Sequence, residues 1–197
     1  MLIFTLISIT DLKDYKKKVI NATSSSEYSE AYSAKKAIDK EWTTRFSTKN
    51  EGAYHWFQLE LEDELAIWKV KIESTVDCCE DQMVDMEVRV GNEKISDEIK
   101  PEENSTSRSL ASITSKSELC GKFEGSGHKG DVYLIDCIRK DDQDLKGKFV
   151  TILSLKPDNK AMTFQNIEVF GEGKIKFVIK ISKGASSLLY RFRKLRV

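Results

Sequence analysis

Apolar and polar residues alternate along three stretches in the first half of the chain. Phe57, Leu59 and Leu61 are separated by polar residues, and the same period of two recurs over residues 68–72 and 84–90. A period of two places successive side chains on opposite faces of a strand. Each stretch is therefore predicted to be a strand with one buried face.

Three later stretches, at residues 132–138, 149–155 and 164–170, are rich in β-branched and aromatic residues. This composition predicts strands buried between two sheets. Only residues 31–39 have helix-like spacing, and the polar residues 93–116 are expected to form a long excursion on the surface. At least six strands without a long helix predict an all-β protein, most simply a β-sandwich. Sandwiches bind ligands through the loops at their ends.

Charge and composition exclude some classes of partner. Lys and Arg together number 32 and so do Asp and Glu, so no net field would attract nucleic acid. Residues 172–197 carry eight basic residues against one acidic one, with apolar residues between them. Membrane contact is therefore predicted only through this basic tail, and a solvated C-terminus is the alternative. No apolar run reaches the length of a transmembrane helix.

Several features favour secretion into the extracellular space. Residues 1–21 begin with an apolar stretch but lack a basic leading region. This pattern predicts, at most, a weak or clipped signal segment. Two glycosylation sequons begin at Asn21 and Asn104. The four cysteines are an even number, which favours two disulfides in an exported protein.

Five short motifs occur in a recognisable order. They are Ala-Thr-Ser-Ser-Ser at 22–26, Ala-Ile-Asp at 37–39, Trp-Phe-Gln-Leu-Glu-Leu at 56–61, Asp-Cys-Cys at 77–79 and Ile-Glu-Val-Phe-Gly at 167–171. Together they resemble the motifs of the F-type lectin (fucolectin) family, and related discoidin-type domains share all but Asp-Cys-Cys. The resemblance covers about residues 22–171, between the lead-in at 1–21 and the basic tail at 172–197. It implies a galactose-binding-like jelly-roll sandwich that binds fucose at a loop end near a structural calcium.

The resemblance also implies how the cysteines pair. In the family the adjacent cysteines form a disulfide that lies against the sugar, which here would join Cys78 to Cys79. A second family bridge corresponds to Cys120 with Cys137. A third family bridge is missing here together with both of its partners.

The implied sugar site departs from the family at its basic positions. The family clamps fucose with a His and two basic residues, and their places fall at Thr48 or Lys49, Thr75 and Gln82. Charged hydrogen bonds contribute about 1.5–3 kcal/mol each, so losing two or three removes a millimolar affinity of about 4 kcal/mol. The fucose clamp is therefore predicted to be lost. The implied carbohydrate-binding residues are Thr48, Thr75, Asp77, Cys78, Cys79 and Gln82.

The implied calcium site keeps oxygen ligands, which suit a hard cation. Lys40 takes the place of a glycine in a turn where φ > 0 is expected. The alternative is a turn capped by Asp39 without metal. The implied ligands are the carbonyls of Lys36 and Gln165 and the side chains of Asp39, Glu41, Ser47 or Thr48, and Asn166.

Two functions stay open from the sequence. The first is a calcium-stabilised lectin that binds a glycan or glycoprotein other than through the fucose clamp. The second is a protein-interaction or structural module on a lectin fold that no longer binds sugar. A zinc site does not fit the cysteine spacing, and no arrangement typical of an enzyme stands out.

Overall fold

The computed structural model of the chain describes residues 3–10, 13–14, 18–51, 54–95, 106–137, 144–154, 160–171, 175–183 and 186–192. The chain divides into two units, Asp14–Phe170 and a smaller unit made of Met1–Lys13 with Gly171–Val197. In chain order the strands are β1 (Ile3–Thr10), β2 (Lys13–Asp14), β3 (Val19–Ser24), β4 (Phe46–Ser47), β5 (Trp56–Glu73), β6 (Val84–Gly91), β7 (Ser117–Ser126), β8 (Val132–Asp136), β9 (Lys146–Ser154), β10 (Thr163–Phe164), β11 (Asn166–Gly171), β12 (Ile175–Lys183) and β13 (Ser186–Phe192). The described helices are α1 (Thr106–Ser115) and the 3-10 turns Glu30–Tyr32, Ala34–Ala37 and Glu80–Gln82.

Strand β5 joins the two layers of the larger unit. Its first part pairs antiparallel with β3 and β9, and its last part pairs with β8 and β11. The register shifts between Glu60 and Leu65, around three exposed acidic residues at 62–64. The sequence predicts two separate strands here. The structure has one strand because β5 bends at this acidic stretch and continues into the second sheet.

The core lies between these two sheets. The first sheet runs β3-β5-β9-β6-β7, and the second contains β11, the end of β5 and β8. Phe57 and Leu59 of β5 pack in the core, as do Val88 and Ile152 of the neighbouring strands, and all four are 0% exposed. The predicted all-β jelly-roll sandwich is confirmed, and the pairing of β4 with β10 adds a short ladder.

Helix α1 is a departure from the sequence prediction. It lies within residues 93–116, which were expected to be an irregular excursion, and its Ser/Thr-rich sequence has weak intrinsic helix propensity. Ile113 packs with Trp56, Ile95 and Leu153 in a second small core on the outer face of the first sheet. Arg89 donates hydrogen bonds to backbone carbonyls near the end of the helix. Tertiary contacts thus stabilise a helix that local sequence does not predict.

Both expected disulfides are present, joining Cys78 to Cys79 and Cys120 to Cys137. Cys120 lies in β7 and Cys137 directly follows β8, so the second bridge ties one edge of each sheet together. Both of its cysteines are buried.

The smaller unit is a three-stranded antiparallel sheet in the order β1-β12-β13. Strand β12 lies in the centre of this sheet, because β1 pairs with one of its sides and β13 with the other. The signal interpretation of residues 1–21 stays a prediction. Among the described residues, no helix is both long enough and apolar enough to span a membrane.

Candidate functional site

The loop that follows β5 is tied down from several sides. The Thr75 hydroxyl donates to the Cys78 carbonyl, and the Thr75 carbonyl accepts a 2.9 Å hydrogen bond from the Gly130 N–H. The Gln82 N–H donates to the Cys79 carbonyl at 3.0 Å, and Cys79 has a left-handed φ of 66°. The adjacent cysteines therefore lie in a loop that these hydrogen bonds hold in place at one end of the sandwich.

An ion pair lies beside these cysteines. Arg45 Nη1 is 2.6 Å from Asp77 Oδ2, and the guanidinium stacks 5.1 Å from the centre of the Tyr32 ring. The other carboxylate oxygen, Oδ1, accepts a 3.0 Å hydrogen bond from the Cys78 N–H. The hydrogen bond from Arg45 is the main reason why the pKa of Asp77 is lowered. Asp77 is thus an ionised, oriented carboxylate whose side chain is 61% exposed.

Arg45 is the residue that sequence reasoning missed. It is 32 residues from Asp77 and does not stand at any of the family's basic positions. In the sequence, Arg45 is distinguished only by its position just before the short strand β4. That position does not indicate what its side chain contacts. The cation beside Asp77 therefore comes from a different part of the chain than the resemblance implies.

Gln82 joins the same loop to the β4–β10 ladder. The Thr163 hydroxyl donates to Gln82 Oε1 at 2.5 Å and lies 2.8 Å from the Ser47 hydroxyl. The Gln82 amide nitrogen makes no hydrogen bond to any residue that the structure describes, so its N–H donors are available to a ligand. Asp77, Cys78, Cys79 and Gln82 are thus brought together as expected.

The two predicted threonines lie inside the protein instead. Thr48 is 0% exposed and its hydroxyl accepts a 2.8 Å hydrogen bond from the Met162 N–H. Thr75 is 1% exposed and its hydroxyl is used within the loop. Basic residues placed at these two positions would have to enter the core, so they could not form a clamp there without rearranging the loop.

Two exposed side chains carry apolar surface near the Arg45–Asp77 pair, one next to Asp77 in sequence and one through Tyr32. Val76 is 56% exposed next to Asp77, and Tyr28 is 63% exposed with its ring edge-to-face against Tyr32. An apolar surface next to oriented hydrogen-bonding groups matches the two faces of a sugar, which carries both C–H groups and hydroxyls.

The implied calcium turn contains a convergence of oxygen atoms. The Thr44 hydroxyl lies 2.9 and 3.0 Å from the two carboxylate oxygens of Asp39, 3.1 Å from the Glu41 carbonyl and 3.4 Å from the Lys36 carbonyl. A hydroxyl has one proton, so it can satisfy only one of these acceptors fully. Lys40 has a φ of 70°, which confirms the expected left-handed turn. The oxygens fit a hard cation, although the Lys36 ammonium lies 3.6 Å from Asp39 Oδ2.

The remaining predicted ligands have other partners. The Ser47 hydroxyl bonds the Thr48 carbonyl and Thr163, and the Asn166 amide donates to Glu73 Oε2 at 3.3 Å. The side-chain amide of Gln165 donates to the Trp42 carbonyl, which leaves open the use of its backbone carbonyl, the implied ligand. Thr44, which the sequence did not indicate, stands where these ligands were expected to converge. Within the described ranges, no three His, Cys, Asp or Glu side chains converge on one position.

Trp42 follows the same turn and is 66% exposed. Its side chain faces solvent, in contrast to the two tryptophans that lie in a strand. Trp56 and Trp68 lie in β5.

No protein-family model matches the chain, and no curated protein matches it. Several solved structures do match the chain. A fucolectin from striped bass (Morone saxatilis) serum superposes with a TM-score of 0.61 at 20% identity, over 84% of this chain and 50% of that one. This chain has the fold of the galactose-binding-like domains. It corresponds to about half of the striped bass protein.

Two further structures have the same fold. One is the Clostridium perfringens module CBM32-5 in complex with GalNAc-β-1,3-galactose, with a TM-score of 0.59 at 16% identity over 81% of this chain and 100% of the module. The other is the lectin domain of Lectinolysin in complex with Lewis b, with a TM-score of 0.58 at 14% identity over 84% of this chain and 100% of that chain. At these identities the likeness establishes the fold alone.

Proposed function

We propose that the larger unit is a secreted, non-enzymatic carbohydrate-binding domain. The observation that carries the proposal is the exposed Arg45–Asp77 pair beside the Cys78–Cys79 disulfide at the loop end. The neighbouring structures support it, because one is a fucolectin and the other two are a carbohydrate-binding module and a lectin domain with bound sugars. Two disulfides support an extracellular location, since reducing compartments rarely keep them.

The geometry supplies each kind of contact that a sugar needs. Each oxygen of Asp77 keeps a lone pair for a sugar hydroxyl, because Arg45 uses one site on Oδ2 and the Cys78 N–H uses one on Oδ1. The guanidinium of Arg45 has further donors for ring or hydroxyl oxygens. The disulfide and Val76 offer an apolar surface for C–H groups. Because the ion pair is neutral as a whole, the site favours an uncharged sugar.

An affinity measurement tests the role of Arg45. Glycans ending in galactose or GalNAc, as in the neighbouring structures, are titrated against the wild type and Arg45→Gln. A charged hydrogen bond contributes about 1.5–3 kcal/mol, so the variant should bind about 10- to 100-fold more weakly. Lys160→Gln is the matched control, since Lys160 pairs with exposed Asp81 at 3.2 Å and should leave affinity unchanged. Equal loss in both variants would reject the assignment of Arg45.

The domain is also proposed to bind calcium at the Asp39 turn. The support is the set of four acceptor oxygens around the single Thr44 hydroxyl. A cation that binds only the native state raises its melting temperature by mass action. Millimolar calcium should therefore stabilise the wild type and not Asp39→Ala, with magnesium as the control ion. No calcium-dependent shift in the wild type would leave the turn as one capped by Asp39 without metal.

The interaction module without sugar binding is the competing function. It predicts that no glycan binds and that Arg45→Gln changes nothing at the loop end. The titration above therefore distinguishes the two functions directly.

A further inference from the structure

Strand β3 forms a free edge of the first sheet. It pairs with β5 from Val19 to Ser24, and no other strand in the described part of the larger unit pairs with it. A register shift lies between Val19 and Asn21, and Ile20 at this shift is 56% exposed. A strand edge with unpaired backbone groups and an exposed apolar side chain is a template for pairing with another chain.

The sequon Asn21-Ala22-Thr23 lies on this edge with its two functional side chains outward. Ala22 is 5% exposed and packs in the core, whereas Asn21 and Thr23 on either side of it are partly exposed. Successive strand residues point to opposite faces, so Asn21 and Thr23 share the outer face of the sheet. The Asn21 amide makes no hydrogen bond to a described residue, so modification there would break none of the described bonds.

The outer face of the first sheet is less completely covered beside Asn21 than beside Thr23. Thr23 lies opposite Gln58, which is 2% exposed and hydrogen-bonded to the Ile95 N–H of the second small core. The next outward pair along the ladder joins Asn21 to Glu60, and Glu60 is only partly buried. The second small core thus covers Gln58 more completely than Glu60, so the outer face is more open to a substituent beside Asn21 than beside Thr23.

We propose that Asn21 carries an N-linked glycan that covers the outer edge of β3, including Ile20. The proposal rests on the export part of the proposed function, because this modification occurs in the secretory pathway. A bulky, hydrophilic substituent on an edge strand blocks edge-to-edge pairing, much as charged residues do on other edges.

The modification is tested on the full chain secreted from animal cells behind a heterologous signal peptide. Asn104→Gln removes the other sequon, so any remaining N-glycan reports on Asn21. Digestion with an N-glycosidase should shift the mass of this variant by one glycan, and adding Asn21→Gln should abolish the shift. Thr23→Ser keeps the sequon and should keep the glycan. An unmodified Asn21 peptide from the secreted monomer would overturn the proposal.

The shielding is tested by the oligomeric state of the same proteins. Protein without the Asn21 glycan should self-associate as concentration rises, and Ile20→Lys should restore the monomer by placing a charge on the edge. A monomer at all concentrations without the glycan would overturn the shielding role. These readouts do not depend on sugar binding at the Asp77 loop or on the chain's own leader, so failure here is distinguishable from failure of the proposed function.

Discussion

The two disulfides should contribute very differently to stability. Cys120 and Cys137 are 17 residues apart, and their bridge ties together the edges of both sheets. Cys78 and Cys79 are neighbours, so their bridge closes no loop of the chain. Because a disulfide acts largely by restricting the unfolded chain, the length of the closed loop sets the expected difference.

The chain-entropy relation gives the size of the effect. A closed loop of this length lowers the entropy of the unfolded state enough to stabilise the native state by about 3 kcal/mol. For a unit of this size that corresponds to about 6–12 °C in melting temperature. The adjacent pair is expected to contribute less than about 1 kcal/mol. Replacing the buried Cys120 by Ala adds about 1 kcal/mol for the lost packing of its sulfur.

Urea unfolding of two double variants tests this difference. Cys120→Ala with Cys137→Ala should lose about 3–5 kcal/mol, and Cys78→Ala with Cys79→Ala is the matched control that also removes one disulfide. Cys137→Ala alone breaks the same disulfide but keeps the sulfur of Cys120. The difference in the free energy of unfolding between this variant and the double variant therefore measures the packing of that sulfur. Similar losses in both double variants would refute the reasoning from loop length.

Three further predictions concern the site and its turn. The pH at which half of the sugar affinity is lost should lie below 3.8, the ordinary pKa of Asp, because the hydrogen bond from Arg45 lowers the pKa of Asp77. Affinity measured against pH tests this, and a midpoint of the loss at pH 5 would contradict it. Lys40→Gly should raise the free energy of unfolding by about 0.5–1 kcal/mol by relieving the left-handed φ, whereas Lys49→Gly, at an exposed position without positive φ, should lower it. Thr44→Val should abolish the rise in melting temperature that calcium is expected to cause in the wild type, measured by differential scanning fluorimetry, and an undiminished rise would exclude the hydroxyl as a ligand.

The sandwich could be predicted from sequence because its strands carry the period of their buried faces. Val88 and Ile152 alternate with polar residues or belong to β-branched runs, and both are fully buried. Strand β7 was missed because glycines and polar residues interrupt its apolar pattern. Helix α1 was missed because its stability comes from Ile113 packing onto distant residues. Local patterns do not contain that information.

The candidate site was predictable only in part for a similar reason. The Asp77 loop is contiguous, so its motif could be identified directly. Arg45 reaches Asp77 only through the fold, and Thr48 is buried only because β4 pairs with β10. Motif spacing indicates which residues stand at a family's positions. It does not indicate which side chains the fold leaves at the surface.

A glycan array of the secreted full chain tests the central claim most directly. The wild type is compared with Asp77→Asn, which removes the charge of the proposed acceptor, and with Asp81→Asn, which removes a 66% exposed charge in the adjacent turn. With the fold of both variants verified by circular dichroism, the account predicts that the wild type and Asp81→Asn bind the same set of uncharged glycans and that Asp77→Asn loses them. A silent array for the wild type, or glycan binding that survives in Asp77→Asn, would contradict the account.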